Sequence, residues 1–198
     1  MNKILDNNFK QELIVYAITA PDTGHVALNC STIRKCINLG KKVLFYSLEQ
    51  PEDLMHKRIG LTDASNLLIK DKLLDKNIEH IASTIDSFKP DIVIIDYLIL
   101  SNSYIKLDDV IIFNRMVLRY KIPFIVAIPL ITTVNKAINF STITLDEFKE
   151  VNSNSTPLIE EADRFILFYQ KGPKEYMLRE LTNTFREPKE FDIRELLN

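Results

Sequence analysis

The sequence predicts an α/β fold: a central, mostly parallel sheet with helices on both faces. Three observations point there. The apolar runs Leu13–Ala20 (LIVYAITA), Asp91–Asp96 (DIVIID) and Pro123–Ile128 (PFIVAI) are of strand length and lack the polar alternation of a sheet with one wet face. Segments with helical spacing separate them, and strand–helix alternation implies parallel pairing through right-handed crossovers. Glycine and proline mark the boundaries, with no internal repeat or low-complexity tract.

The elements follow in order. Leu13–Ala20 is a buried strand that stops at Pro21. Val26–Leu39 places apolar residues at 26, 30, 33 and 37, close to the helical period, with Gly40 as a stop signal. Val43–Ser47 (VLFYS) is a second short strand. Pro51 suits the first turn of a helix through about Ile59, and Gly60 follows it. Asn66–Lys70 predicts a short strand, and Lys76–Phe88 a helix with apolar residues at 78, 81, 85 and 88. Asp91–Asp96 is the clearest strand, Leu107–Tyr120 a helix and Pro123–Ile128 a buried strand. Ile131–Thr156 is polar, rich in Ser, Thr and Asn and poorly periodic, hence a loop. Arg164–Tyr169 and Tyr176–Leu181 are late strands. At roughly 150 residues per domain, residues 1–198 are expected to form one domain, with a polar loop at 131–156 and a mixed-charge tail at 186–198.

Composition narrows the function before any motif does. The 198 residues include 25 Lys and Arg against 27 Asp and Glu, a formal net charge of −2, which gives no general attraction to nucleic acid. With 46% hydrophobic and 26% charged residues, a chain of this length buries roughly 70% of its unfolded surface without a metal or disulfide. No apolar run reaches the ~18 residues of a membrane span, and Met1–Lys10 has no signal-peptide core. Cys30 and Cys36 lie about 240° apart around the predicted helix, so free thiols and a cytoplasmic location are expected. The 4 glycines, about 2% against a usual ~7%, exclude collagen-like, linker-like and multi-glycine-loop designs.

Ligands of parallel sheets bind beyond the carboxyl ends of the strands. After the first strand comes Thr19-Ala20-Pro21-Asp22-Thr23-Gly24-His25-Val26, in the slot where a phosphate-binding loop reads G-x-x-x-x-G-K-[ST]. Only Gly24 fits. Thr19 replaces the first glycine, His25 the lysine and Val26 the metal-ligating hydroxyl. The second strand leads into Ser47-Leu48-Glu49-Gln50, and the strand Asp91–Asp96 ends at Asp96. A carboxylate leaving an apolar strand beside a phosphate loop is how such folds hold Mg²⁺; another one strand over can orient a water. From position alone, Glu49 and Asp96 serve equally well as helix-capping or ion-pairing acids, and His25 is an exposed residue at a helix start. No His/Cys cluster has metal-ligand spacing, so no further metal site is expected, and His56 and His80 stand isolated.

The same residues carry a resemblance. The order strand–loop–helix, then KKVLFYSLEQPEDLMHKRI, DIVIIDYLIL, IPFIVAIPL and IEEADRFILFY, over roughly Leu13–Tyr169, resembles the RecA-like motor domain of DnaB-type replicative helicases, a P-loop NTPase fold. The resemblance implies that Glu49 matches the family's catalytic glutamate and Asp96 its Mg²⁺-coordinating aspartate. Gly24, His25 and Val26 then fall on the phosphate loop, with His25 and Val26 on its Lys and Thr. Pro129 falls where the family has a γ-phosphate-sensing glutamine. The family's late basic segment, which supplies arginine and lysine fingers, has an Asn-Gly turn that Leu181–Pro188 (LTNTFREP) lacks, which bears on Arg179 and Arg186. The matched stretch does not include the family's N-terminal helical domain.

With the lysine and hydroxyl of the phosphate loop replaced, the expectation is a RecA-fold protein in which Glu49 and Asp96 are vestigial. Such a pseudo-ATPase needs no cofactor and acts by interaction, docking on a replicative helicase or another replication protein or associating with itself. One alternative is a divergent ATP-dependent helicase that holds Mg²⁺–ATP through backbone groups and uses Glu49 and Asp96. Another is a single-stranded DNA binder. Against the last, the 131–156 loop sets Lys136 and Lys149 against Asp146, Glu147 and Glu150 (2 − 3 = −1), the wrong sign for phosphate contact, although Phe140 and Phe148 offer rings for stacking. DNA binding is expected to be weak or absent. Arg34, Lys35, Lys41, Lys42, Lys57 and Arg58 read as solvated helix rims.

Overall fold

A computed structural model describes residues 11–19, 24–61, 65–72, 79–96, 107–129, 139–151, 156–172, 175–181 and 190–192. The strands are β1 (Leu13–Ile18), β2 (Val43–Ser47), β3 (Leu67–Lys70), β4 (Ile92–Asp96), β5 (Phe124–Pro129), β6 (Arg164–Gly172), β7 (Glu175–Leu181) and β8 (Glu190–Asp192). The helices are α1 (His25–Asn38), α2 (Glu52–Ile59), α3 (Glu79–Phe88), α4 (Leu107–Tyr120), α5 (Leu145–Val151) and α6 (Thr156–Glu161). The strands form one sheet in the order β3-β2-β4-β5-β1-β6-β7-β8. Neighbours from β3 to β6 are parallel, and β7 and β8 extend the sheet antiparallel.

The run-on apolar strands are buried on both faces, as their lack of alternation requires. Every residue of β1, β2 and β4 is buried. Side-chain direction reverses at each residue along a strand, so β1 feeds two cores. Leu13, Val15 and Ala17 join Ile81 and Ile85 of α3, Phe113 and Met116 of α4 and Phe148 of α5. Ile14, Tyr16 and Ile18 join Leu28 and Ile33 of α1 and Met55 and Ile59 of α2. The strand is also fastened at its start: the Leu13 N–H donates to Asp163 Oδ2 at 2.7 Å and the Asp163 N–H to the Leu13 carbonyl at 3.0 Å. The aspartate of the EEAD segment thus ties the entry of β1 to that of β6.

Two expectations need correction. The stretch 131–156 is not loop throughout, because α5 lies inside it. Thr144 and Glu147 form a capping box: the Glu147 carboxylate accepts from the Thr144 N–H (2.8 Å) and hydroxyl (2.9 Å), while Thr144 Oγ1 accepts from the Glu147 N–H (3.2 Å). These bonds hold the Glu147 carboxyl below its usual range. Ile143, Leu145 and Phe148 are buried, and the Phe148 ring packs 4.9 Å from that of Phe165. Phe148 is therefore a core residue and offers no ring for stacking. The second correction concerns the tail, where Glu190–Asp192 pair with β7 as a short edge strand. Residues 131–138, 152–155, 182–189 and 193–198 lie outside the described residues, as does Met1–Lys10. Among the described residues no helix is long and apolar enough to cross a membrane.

Because Phe148 is fully buried beneath β6, Phe148→Ala is expected to lower unfolding stability by about 3–5 kcal/mol. Urea unfolding followed by circular dichroism measures this. A loss under ~1 kcal/mol, the level of a surface change, would contradict the placement of α5 against the sheet.

Candidate functional site

Parallel pairing brings the carboxyl ends of β1, β2 and β4 to one edge of the sheet. After β1 the chain re-enters the described residues at Gly24, the N-cap of α1, whose φ of 83° is left-handed. A side chain there would be strained by backbone conformation rather than by crowding, since an added Cβ would meet only the Tyr176 ring, at 3.8 Å. His25 is the first residue of α1, and Val26 turns toward the α1–α2 core.

His25 is the correction that matters most. It is not an exposed helix-start residue, for only 5% of its surface is accessible. Its Nε2 lies 3.2 Å from Glu49 Oε2 and 3.7 Å from Asp96 Oδ1. The shorter contact is a hydrogen bond between the imidazole and the Glu49 carboxyl group. Asp96 ends β4 with no exposed surface, opposite Ser47 of β2 in the sheet register. The Ser47 hydroxyl donates to the Gln50 carbonyl at 2.8 Å, shaping the turn that presents Glu49.

Asp96 is electrostatically exposed to its own burial. Desolvation, with the Glu49 charge adding to it, raises its carboxyl from 3.8 to about 6, against the opposing pull of His25 and the Asn29 amide. Asn29 stands one turn after His25 on α1 and is buried, yet neither its Nδ2 nor either Asp96 oxygen completes a hydrogen bond of good geometry. A cleft of about 230 Å³ lies outside this group, lined by Gly24, His25, Val26, Glu49, Gln50 and Arg58.

The structure brings Gly24, His25, Val26, Glu49 and Asp96 together. Pro129, the last residue of β5, faces Ile18 in the β1 register and has no side-chain donor. Sequence reasoning missed Asn29 and Arg58 here. The i, i+4 spacing from His25 was the available signal for Asn29. Arg58, counted among solvated rims, borders the cleft, and Arg34 caps α2 through the carbonyls of Arg58 (3.3 Å) and Ile59 (3.4 Å). Arg179 faces inward, donating to the carbonyls of Phe140 (3.0 Å) and Ile143 (2.8 Å). Arg186 lies outside the described residues.

Two features of this group depart from what a magnesium nucleotide asks of such a site. The imidazole stands between the two carboxylates, and Val26 supplies no oxygen. The chemistry present is an imidazole hydrogen-bonded to one acid and close to a second.

No protein-family model matches this chain, and no curated protein matches it in sequence. Solved structures do resemble it. The ATPase domain of the protein G40P superposes with a TM-score of 0.72 at 16% identity, over 96% of this chain and 84% of that one. A DnaB-like replicative helicase, described with its interactions with primase, gives 0.72 at 15% identity over 93% of this chain, which spans 55% of that longer one. A KaiC-like protein from Pyrococcus horikoshii gives 0.60 at 13% identity over 92% and 85%. The fold is RecA-like.

A carboxyl raised in the folded state keeps its proton between about pH 4 and 6, where the unfolded chain has released it. Stability from this group therefore falls as pH rises through that window. Asp96→Asn removes the dependence. The variant is expected to be more stable than the parent at neutral pH by on the order of 2–3 kcal/mol, with the gap closing below about pH 4. Urea unfolding of both proteins across pH measures it; parallel curves would refute the assignment.

Proposed function

We propose that this chain is a RecA-fold pseudo-ATPase that acts by interaction, docking on a replicative helicase or another replication protein or associating with its own copies. The observation that carries this reading is the buried His25 imidazole, 3.2 and 3.7 Å from the two carboxylates. Charge-assisted bonds to phosphate contribute roughly 1.5–3 kcal/mol each. Where the family has a lysine ammonium, the imidazole Nε2 is engaged with Glu49. Val26 and Pro129 supply neither a metal ligand nor a polar sensor. The replacements fall on separate steps of one reaction, so restoring any one leaves turnover broken.

One feature favours a second reading, a divergent ATPase. Glu49 and Asp96 still stand at adjacent strand ends, and Asp96 stays buried with unsatisfied oxygens. Hydrolysis abolished by Glu49→Gln would decide for that reading. Weak or absent DNA binding is supported by the rings: Phe148 is buried, and Phe140 packs 6.2 Å from Tyr169.

The decisive experiment is a calorimetric titration with Mg²⁺–ATP of the parent and the His25→Lys/Val26→Thr variant. No binding is expected for the parent and weak binding for the variant; tight parental binding would overturn the proposal. A labelled single-stranded oligonucleotide at low salt is expected to show no anisotropy change on adding the protein, and salt-sensitive binding would move the assignment to a DNA binder.

A further inference from the structure

We infer that the groove between α3 and α4 docks an acidic amphipathic helix of a second protein. This rests on the reading that the chain acts by interaction, and it names the face used and the chemistry of the partner.

Among the described residues three large apolar side chains are exposed: Leu39 at 50%, Ile111 at 37% and Leu118 at 67%. Ile111 and Leu118 are seven residues apart on α4 and share one face, with Arg115 between them at helical spacing from both. The core does not account for this stripe, because α4 packs inward through Phe113, Met116 and Val117. Beside the stripe runs a groove of about 310 Å³ lined by Ala82, Ile112, Arg115, Met116, Arg119 and Tyr120. Its walls are fixed: the Tyr120 hydroxyl donates to the Ala82 carbonyl at 3.2 Å, and Arg119 Nη2 lies 3.7 Å from Asp86 Oδ2. Arg119 therefore has a carboxylate at hand, whereas among the described residues Arg115 forms no ion pair.

An apolar groove between two helices accepts the apolar face of a third, and the Arg115 guanidinium at its rim selects a carboxylate beside that face. A second copy of this chain fits poorly. Twofold pairing of α4 would bring Arg115 against its equivalent. The other exposed apolar residue among those described, Leu39, is a single side chain followed by Lys41 and Lys42, not the apolar helix face with flanking acids that the groove calls for.

The test uses a labelled designed helix of about four turns, with leucines along one face and glutamates flanking them. Its comparators are a version with lysine for glutamate and a scrambled version, all read by fluorescence anisotropy. The glutamate peptide is expected to bind saturably and to slow hydrogen exchange in α4. Arg115→Glu is expected to weaken it by about tenfold or more and to favour the lysine peptide instead, a charge swap that an unfolded variant cannot produce. Absence of saturable binding, equal binding of the scrambled peptide, or affinity unchanged in Arg115→Glu would each overturn the proposal. A parent dimer in sedimentation that Leu118→Asp dissociates would overturn it too, by making a second copy the occupant. None of these readouts involves nucleotide, so the groove and the loss of hydrolysis stand or fall separately.

Discussion

A carboxylate with no exposed surface ends the central strand β4, and the imidazole of His25 faces it from the start of α1. Burying an unpaired charge in a protein interior is among the costlier things a fold can do, and the surroundings of Asp96 are arranged around that cost. His25 is held in by its shorter contact to Glu49, and Glu49 by the turn after β2. One side chain thereby couples the beginning of α1 to the ends of two strands it does not touch through the backbone. The group is incompletely paired all the same: both Asp96 oxygens and the Asn29 amide nitrogen are left without a hydrogen bond of good geometry.

The strands were legible in the sequence because parallel strands covered on both faces must be apolar without alternation, and LIVYAITA, DIVIID and PFIVAI have that character. Helix α1 was legible from its period and from Gly40. The burial of His25 was not, because its partners are 24 and 71 positions away and only the sheet register brings them near. Helix α5 escaped a reading based on periodicity: its seven residues give under two turns. The signal that marks it, Thr144 with Glu147 three residues on, is local chemistry rather than pattern. Edge strand β8 is three residues long and charged at both ends, so it has almost no hydrophobic signature at all.

Residue types that suggest catalysis turn out to be doing architecture elsewhere in the chain. Asp163 of the EEAD segment pins the start of β1. Arg179 holds the carbonyls of Phe140 and Ile143 to β7, fixing the approach to α5. Arg164 and Glu180 form a two-point ion pair, 2.7 and 3.2 Å, across the β6–β7 hairpin. The groups that hold the sheet in these places are not the groups that face the cleft.

The ends of the sheet have a bearing on how the protein behaves in a crowded solution. An open edge offers unpaired N–H and C=O groups to any passing strand. Here one edge is β3, four residues finishing in Lys70, and the other is β8, with Glu190 and Asp192. Each is too short and too polar to template a long foreign ladder. Among the described residues, the side chains of the helical faces therefore offer more to an associating molecule than the backbone at either edge of the sheet does.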